Sequence, residues 1–199
     1  MEDGTFSPPA VILAGGRATR MGGQDKALIA LAGRPMVDHV IDRLLPQVGP
    51  IAINSNGDPA RFGRKRPVIA DGIEDHPGPL AGILAAMDWA QALKSEWVLT
   101  VATDTPFLPA GLVARLAQAQ VVSRAPIVLA ETPDGLQPVT GLWHVPLSDS
   151  LRGSIEAGTR KVMDFAEAKG AVSAVFATED FFNVNTPADL AVAESRLQR

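Results

Sequence analysis

Short apolar runs alternate along this chain with longer segments whose apolar residues recur at helical spacing, and this alternation restricts the fold more than any other feature. The short runs predict strands and the longer segments predict helices, with no internal repeat between them. Strands that alternate with helices are typical of a mostly parallel sheet covered on both faces. We therefore predict an α/β fold with three layers, in which helices cover each side of a central sheet.

The predicted strands cover residues 9–13, 51–54, 68–70, 97–102, 127–130, 141–145 and 172–176. The predicted helices cover residues 36–45, 80–93, 109–119, 147–156, 162–169 and 187–197. A chain of 199 residues favours one domain over residues 1–199, and we expect residues 1–8 to form a flexible tail.

Composition narrows the classes of protein that remain. Hydrophobic residues make up 46% of the chain, which excludes an intrinsically disordered chain. The net charge of −4 argues against a nucleic-acid-binding surface. Cysteine is absent, so disulfides, thiolate metal sites and a cysteine nucleophile are excluded. The N-terminal segment has no targeting pattern and the apolar run 10–14 is too short to cross a membrane, so we expect a cytoplasmic protein with no membrane partner.

Polar residues follow several of the predicted strands, in the loops after Leu13, Asn54, Ala70 and Ala102. In parallel sheets, ligands bind beyond the carboxyl ends of the strands. We therefore expect these loops to share one edge of the sheet and to form the binding site.

The glycine-rich loop from Leu13 to Lys26 is the strongest of these signals. It reads LAGGRATRMGGQDK and contains four glycines and three cations. Gly15 and Gly16 permit positive φ and let successive N–H groups form an anion-binding nest. Together with Arg20 and Lys26, they predict a polyphosphate site, and the alternative is a surface turn with solvated arginines. The loop matches neither the P-loop nor the dinucleotide-binding pattern.

Asp104 follows the apolar run 97–102 after a single intervening residue. A carboxylate at the end of a strand can hold Mg²⁺ against phosphate oxygens, because magnesium takes one or two protein carboxylates and completes its shell with phosphate and water. The alternative is an aspartate that only forms the turn before Pro106. With the glycine-rich loop expected at the same edge, we predict that Asp104 is a metal ligand and that Mg²⁺ is the cofactor.

Blocks spread over nearly the whole chain carry a resemblance to a known family. They are LAGG, RMG and lysine within the glycine-rich loop, Asn54, Asp71, GPLAG at 78–82, DTPFLP at 104–109 and NVNTP at 183–187. In these blocks the chain resembles the sugar-nucleotide type of nucleotidyltransferase, and within it the molybdenum cofactor guanylyltransferases. The resemblance implies a Rossmann-like nucleotidyltransferase fold. It also implies Mg²⁺-dependent transfer of GMP from GTP to the terminal phosphate of molybdenum-molybdopterin, with release of pyrophosphate.

The resemblance assigns nucleotide contacts to the residues at the ends of the strands. Those expected to bind the nucleotide are Leu13, Ala14, Gly15, Gly16, Lys26, Asn54, Asp71, Gly82 and Asp104. Asn54 and Asp71 would meet the guanine base, since an aspartate can accept from its N–H groups and an asparagine can donate or accept. The alternatives are that Asn54 and Asp71 only form turns and that the segment 78–82 is a plain helix entry.

Catalysis by such an enzyme would rest on Arg20, Lys26 and Asp104. The two cations would stabilise charge on the α-phosphate and on the departing pyrophosphate, and no side-chain nucleophile is needed because the acceptor is already an anionic oxygen. The resemblance also suggests a second metal or substrate contact from Asn183 or Asn185, with helix capping as the alternative.

Arg160 and Lys161 are further candidates, either for the phosphate or pterin of the second substrate or as a solvated pair of charges. Expected partners are GTP, molybdenum-molybdopterin and the proteins that insert molybdenum and deliver the cofactor. Three alternatives stay open: cytidylyl transfer to the molybdenum cofactor, nucleotidyl transfer to a sugar phosphate, and a nucleotide-binding regulator without activity.

Overall fold

The computed structural model describes residues 6–15, 25–63, 66–73 and 78–198. Within these residues the strands are β1 (Ala10–Leu13), β2 (Ala30–Leu31), β3 (Arg34–Pro35), β4 (Ile51–Asn54), β5 (Val68–Ile69), β6 (Trp97–Ala102), β7 (Ile127–Thr132), β8 (Gly135–His144) and β9 (Val172–Val175). The α-helices are α1 (Met36–Leu44), α2 (Pro79–Ala92), α3 (Leu112–Ser123), α4 (Ser148–Glu156), α5 (Val162–Ala168) and α6 (Pro187–Leu197).

Seven of the strands form one sheet, in the order β5-β4-β1-β6-β8-β7-β9. The pairs β5–β4, β4–β1, β1–β6 and β7–β9 are parallel, whereas β8 runs antiparallel to both of its neighbours. The carboxyl ends of β4, β1 and β6 therefore lie side by side at one edge. This arrangement confirms the predicted mostly parallel sheet.

Alternate residues of the strands face two separate apolar layers. Ala10 and Ile12 of β1 pack with α1 and α3, while Val11 and Leu13 pack with α2, α4 and α5. Both faces of the sheet are thus covered by helices, as the continuous apolar strands predict. The predicted three-layer α/β architecture is confirmed, while the assignment of residues 1–199 to a single domain stays a prediction.

A third, smaller cluster joins the short hairpin β2–β3 to α6. Leu31, Met36, Val184 and Ala193 are fully buried there. The strands of this hairpin have two residues each and were not predicted from the sequence. The cluster brings the C-terminal part of the chain against the segment that follows the glycine-rich loop.

Strand β8 is longer than the sequence predicts. We expected a strand over residues 141–145, but β8 begins at Gly135 and ends at His144. β8 contains Pro138, and a proline disfavours strand pairing because it has no N–H to donate to the ladder. In the structure it lies where the pairing is irregular, since Gln137 pairs with Ala130 whereas Gly141 pairs with Leu129. Residues 138–140 therefore form a bulge, which accommodates the proline.

Two other boundaries also differ from the sequence prediction. The helix predicted over residues 109–119 begins at Leu112, and Pro109 precedes it as a turn residue whose carbonyl accepts a hydrogen bond from Leu112 N at 3.1 Å. Pro8, which we assigned to a flexible tail, is buried, and its carbonyl accepts from Gly49 N at 3.0 Å. Among the described residues, no helix combines the length and the apolar character needed to cross a membrane.

Candidate functional site

The carboxyl ends of the central strands open into one cavity of about 920 Å³. Its described lining consists of Leu13, Ala14, Gly15, Lys26, Asn54, Asn56, Asp71, Gly78, Pro79, Gly82, Ala102, Thr103, Asp104, Thr105, Gln137, Pro138, Val139, Thr140 and Asn183. The expectation that the loops after β1, β4, β5 and β6 share one edge is therefore confirmed. A cavity of this size lies within the range of about 300–1,000 Å³ that is usual for small-molecule sites.

Lys26 reaches this cavity from the first residue of a short 3₁₀ helix, Lys26–Leu28. Asp25 caps that helix, because its Oδ1 accepts a hydrogen bond from Ala27 N at 3.1 Å. The Lys26 ammonium donates to Asp104 Oδ2 at 2.7 Å and also to Asn185 Oδ1. Both side chains of the ion pair are largely buried, with exposed fractions of 18% and 22%. The structure thus brings together three polar residues from distant parts of the chain.

The same three residues permit a test of the predicted metal site. The oxygens of Asp104 and Asn185 converge on one cation, which in this structure is the ammonium of Lys26. One carboxylate and one amide oxygen form a donor set that suits Mg²⁺, whose remaining positions are commonly filled by substrate phosphates and water. The described residues contain no group of three or more His, Asp or Glu side chains around a metal position. A metal here would therefore depend on its substrate for further ligands.

Asn185 is held in position by bonds on both sides of it. Val184 N donates to the carbonyl of Asp104 at 2.9 Å, which ties this segment to the loop after β6. Asn185 N and Thr186 N donate to Asp189 Oδ2 at 3.0 and 2.8 Å, and Thr186 also caps α6. A side-chain hydrogen bond with Thr186, followed by the backbone bond from Asn185, lowers the pKa of Asp189 below its usual 3.8. The capping box therefore orders the asparagine as well as the helix.

Asn183 and Asn185 both point outward, since they are exposed while Val184 between them is fully buried. Their predicted placement on one face is therefore confirmed, although the segment is an irregular extended stretch rather than a strand. Asn183 lines the cavity, and its Nδ2 donates to the carbonyl of Phe181 at 3.2 Å.

Asn54 and Asp71 contact each other on the β4–β5 side of the cavity. Asn54 is 4% exposed, and its Nδ2 donates to Asp71 Oδ1 at 2.9 Å and to the carbonyl of Ile69 at 3.2 Å. Asn56 binds the other carboxylate oxygen, because its Nδ2 donates to Asp71 Oδ2 at 2.8 Å. Asn56 Oδ1 in turn accepts from Asp71 N at 2.9 Å. These bonds hold one carboxylate and two amides as a fixed group, which we call the Asp71 cluster.

Gly82 adjoins the Asp71 cluster from α2. A Cβ atom at this position would lie 2.5 Å from Asn54 Oδ1 and 3.2 Å from Leu13 Cδ2. Glycine therefore lets the helix approach the buried asparagine. Free N–H groups occur only at the first residues of a helix, and Gly82 lies beyond them in α2. The close approach to Asn54, rather than a free amide, therefore accounts for the glycine.

The β8 bulge supplies the opposite part of the lining. The carbonyl of Val139 accepts a hydrogen bond from the Thr100 hydroxyl at 2.7 Å, and that hydroxyl accepts from Trp143 Nε1, also at 2.7 Å. A fully buried tryptophan thus anchors the bulge to β6. The bulge directs Gln137 and Thr140 toward the cavity.

Not every predicted site residue is among the described residues that form this arrangement. Gly16 and Arg20 lie outside the described residues. Arg160 donates from Nη1 to the carbonyls of Ile155 and Thr159 at the end of α4, at 3.0 and 3.1 Å. Neither Arg160 nor Lys161 is among the described residues that line the cavity. Their predicted role toward the second substrate stays a prediction.

Other residues at or next to the site were not predicted from the sequence. Asn56 follows Asn54 at the spacing of alternate residues in an extended segment, and this spacing could have indicated it. Asp25 and Arg61 form an ion pair at 3.1 Å between segments that are far apart in sequence. No local pattern marks such a pair.

Comparison with known proteins agrees with this geometry. Residues 10–172 match the family model described as "MobA-like NTP transferase domain". The chain is 46% identical over 193 residues to the molybdenum cofactor guanylyltransferase of Rhodopseudomonas palustris (strain BisB5), covering 94% of this chain and 92% of the relative. It is 45% identical over 192 residues to the molybdenum cofactor guanylyltransferase of Cereibacter sphaeroides, with 95% and 96% covered.

A solved structure gives the same answer for the fold. The crystal structure of molybdopterin-guanine dinucleotide biosynthesis protein A from Archaeoglobus fulgidus superposes with a TM-score of 0.77 at 21% identity, over 96% of this chain and 98% of that one. The family match covers most of the chain, and the relatives match it over nearly their whole length. The chain therefore belongs to the MobA-like NTP transferase family and is a nucleotidyltransferase.

Proposed function

We propose that this enzyme transfers GMP from GTP to the terminal phosphate of molybdenum-molybdopterin and releases pyrophosphate. In this reaction an oxygen of the molybdopterin phosphate attacks the α-phosphorus of GTP. The bond between the α-phosphorus and the oxygen bridging to the β-phosphate breaks, and that oxygen leaves with the pyrophosphate. The named relatives support this choice of substrates, because two molybdenum cofactor guanylyltransferases are 45–46% identical to the chain.

The observation that carries the proposal is the division of one cavity into two chemically different sides. The Asp71 cluster lies after β4 and β5, whereas Asp104, which binds Lys26, lies after β6. Because β1 lies between β4 and β6, the two sides are separated by two strand spacings, or about 10 Å. Amide and carboxylate groups suit the edge of a base, and the charged pair suits a polyphosphate and its cation. A nucleoside triphosphate has the same two parts.

Each side chain then has a distinct task in the proposed reaction. Asn54 and Asp71 orient the guanine, with the carboxylate accepting from its N–H groups. Lys26 donates to phosphate oxygens and offsets the charge that grows on them during displacement. Asp104 and Asn185 would hold Mg²⁺, which supplies positive charge to the phosphate oxygens when bound. Positioning and electrostatics account for the rate gain, and no covalent enzyme intermediate is required.

Asn183 and the β8 bulge face the remaining part of the cavity. Asn183, Gln137 and Thr140 line it on the side away from the Asp71 cluster. Neutral amide and hydroxyl groups can bind a polar pterin without adding charge next to the phosphates. We therefore assign this part of the cavity to the acceptor substrate.

A titration with four nucleotides tests the proposal. The protein is mixed with GTP, CTP, UTP or ATP and Mg²⁺, molybdopterin is added, and pyrophosphate release is measured. We expect release with GTP that requires both molybdopterin and Mg²⁺. Release with CTP instead would assign the protein to cytidylyl transfer, and binding of a nucleotide without any release would assign it to regulation.

A further inference from the structure

We propose that Arg61 is a positioning residue that fixes the phosphate side of the cavity relative to the base side, an inference that rests on the proposed function. Its guanidinium bridges two segments that each hold a predicted ligand contact. One segment leads to Lys26 and the other leads to the Asp71 cluster. Arg61 itself is not among the described residues that line the cavity.

Local structure holds Arg61 in place between the two segments. It lies in a short 3₁₀ helix, Pro59–Phe62, within the connection from β4 to β5. Asp58 caps this helix by accepting a hydrogen bond from Ala60 N at 2.9 Å. The guanidinium carbon lies 5.0 Å from the centre of the Phe62 ring, within the range of a cation–π contact. The side chain is thus oriented by its own short helix.

Arg61 joins the phosphate side through Asp25. Its Nε lies 3.1 Å from Asp25 Oδ2, while Asp25 Oδ1 caps the helix that begins with Lys26. Asp25 Oδ2 is enclosed and makes no hydrogen bond of good geometry within the described residues. An enclosed carboxylate oxygen is costly without compensation, so the adjacent positive charge of Arg61 is its main stabilisation. The cap in front of Lys26 therefore depends on Arg61.

Arg61 joins the base side through the backbone and side chain that follow β4. Its Nη2 donates to the carbonyl of Asn56 at 2.8 Å and to the hydroxyl of Ser55. Asn56 in turn binds Asp71 through both its amide nitrogen and its amide oxygen. A continuous series of polar contacts thus leads from the Lys26 helix to the Asp71 cluster.

The geometry of the guanidinium group explains why an arginine serves here. Its rigid planar fork offers donors in several directions at once, whereas a lysine offers one compact charge. One Nε and one Nη2 can therefore serve the two segments together. A ligand that contacts both sides of the cavity gains from their fixed separation, because less ordering is required on binding. A ligand that contacts only one side gains little.

This difference between ligands provides the test. For the parent protein and Arg61→Gln, we would measure the dissociation constant of GTP and the inhibition constants of guanosine and of inorganic tripolyphosphate. We expect the variant to bind GTP about tenfold more weakly, a change of about 1.4 kcal/mol, while each fragment changes by less than about twofold. An equal loss for a fragment, or unchanged GTP binding, would overturn the positioning role. If the parent favours another triphosphate, its own nucleoside replaces guanosine.

A matched control separates positioning from general stability. Arg152 forms an ion pair with Asp88 at 2.8 Å, and both side chains are 37% exposed, close to the 31% of Arg61. Arg152→Gln should leave all three constants within about twofold, since this pair lies outside the polar series. If Arg61→Gln lowers the yield of folded protein, Arg61→Lys replaces it, and we expect a smaller loss for GTP with unchanged fragments.

A double-mutant cycle tests the route through Asp25. Asp25→Asn should weaken GTP binding and leave the binding of each fragment nearly unchanged, as Arg61→Gln does. The dissociation constant of the double variant for GTP should be no larger than the larger of the two single-variant constants. Losses that multiply would mean that the two residues act independently, which would overturn the bridge. A parent protein that binds no nucleoside triphosphate would refute the proposed function instead. The two failures are therefore distinguishable.

Discussion

The ammonium of Lys26 lies 2.7 Å from Oδ2 of Asp104 and also contacts Oδ1 of Asn185. In this structure the cation predicted to meet phosphate thus occupies the position where the carboxylate and the amide would hold a metal. The positive charge satisfies both oxygens. In the proposed function, binding of a nucleotide with its metal would exchange one cation for another at the same place.

This contact predicts that Lys26 opposes the binding of a metal without nucleotide. Lys26→Met removes the charge and the donor but keeps the length of the side chain. We expect Mn²⁺, used as a probe in electron paramagnetic resonance titrations, to bind the variant about two- to fivefold more tightly than the parent, as the loss of a partly exposed ion pair implies. Lys169→Met, directly after α5 and outside the described lining of the cavity, serves as the control. Weaker Mn²⁺ binding by Lys26→Met would contradict the competition.

Turnover should respond in the opposite direction to loss of the same residue. Lys26→Ala should lower kcat by about 10² to 10³, because a donor aimed at developing charge is commonly worth that factor. The measurement is pyrophosphate release at saturating nucleotide and acceptor. A kcat within a few-fold of the parent would exclude Lys26 from the transition state.

Asp104 should determine the dependence on the metal. Asp104→Ala should abolish turnover that depends on Mg²⁺, since in the proposed function the Asp104 carboxylate supplies negative charge to the metal. A titration of Mg²⁺ against activity checks this. Full activity of the variant at ordinary Mg²⁺ concentrations would show that the metal binds elsewhere.

Gly82→Ala should damage the base side of the cavity. The added methyl group would lie 2.5 Å from Asn54 Oδ1, so the Asn54 side chain must shift, which disturbs its bond to Asp71. We expect GTP binding to weaken by about tenfold. Gly153→Ala in α4 is the matched control, because no atom lies within 4 Å of the added group. That variant should gain about 0.5–1 kcal/mol of stability from helix propensity and bind GTP normally.

The capping box of α6 predicts a dependence of stability on pH. The pKa of Asp189 is lowered in the folded protein, so its ionised form stabilises the fold above the ordinary value of 3.8. That contribution is lost as the pH falls below 3.8 and through the folded pKa. Asp189→Asn should therefore melt at a lower temperature than the parent at pH 7, and the difference should close in acid. A difference in melting temperature that is as large in acid as at pH 7 would contradict this assignment.

The sequence predicted most of the sheet because its strands are buried on both faces. The run 97–102 is mostly apolar and buried, and so are its neighbour β1 and the next strand, β4, up to Asn54. The predicted strand 141–145 is shorter than β8, which also contains Pro138, and only the pairing with β7 shows that a bulge accommodates this proline. The start of α3 was misplaced because Pro109 is compatible with both a turn and a first helical residue.

The candidate site divides in a similar way. Asn54, Asp71 and Asp104 could be predicted because each follows a strand of the parallel group, so topology alone brings them to one edge. The roles of Asp25 and Arg61 could not, since an ion pair between two loops depends on the path of each loop. The position of Lys26 between Asp104 and Asn185 likewise follows from the tertiary packing of α6 and not from any local motif.

The bond from Val184 N to the carbonyl of Asp104 has a consequence for biosynthesis. Lys26 and Asn185 are separated by 159 positions, so the amide can reach the lysine only after all the residues between them have been synthesised. A nascent chain that ends before Val184 already contains every strand of the sheet, together with Asp104. It still lacks Asn185, the second oxygen-bearing partner of Lys26, and the buried apolar side chain of Val184. This part of the candidate site can thus be completed only after the whole sheet has been synthesised.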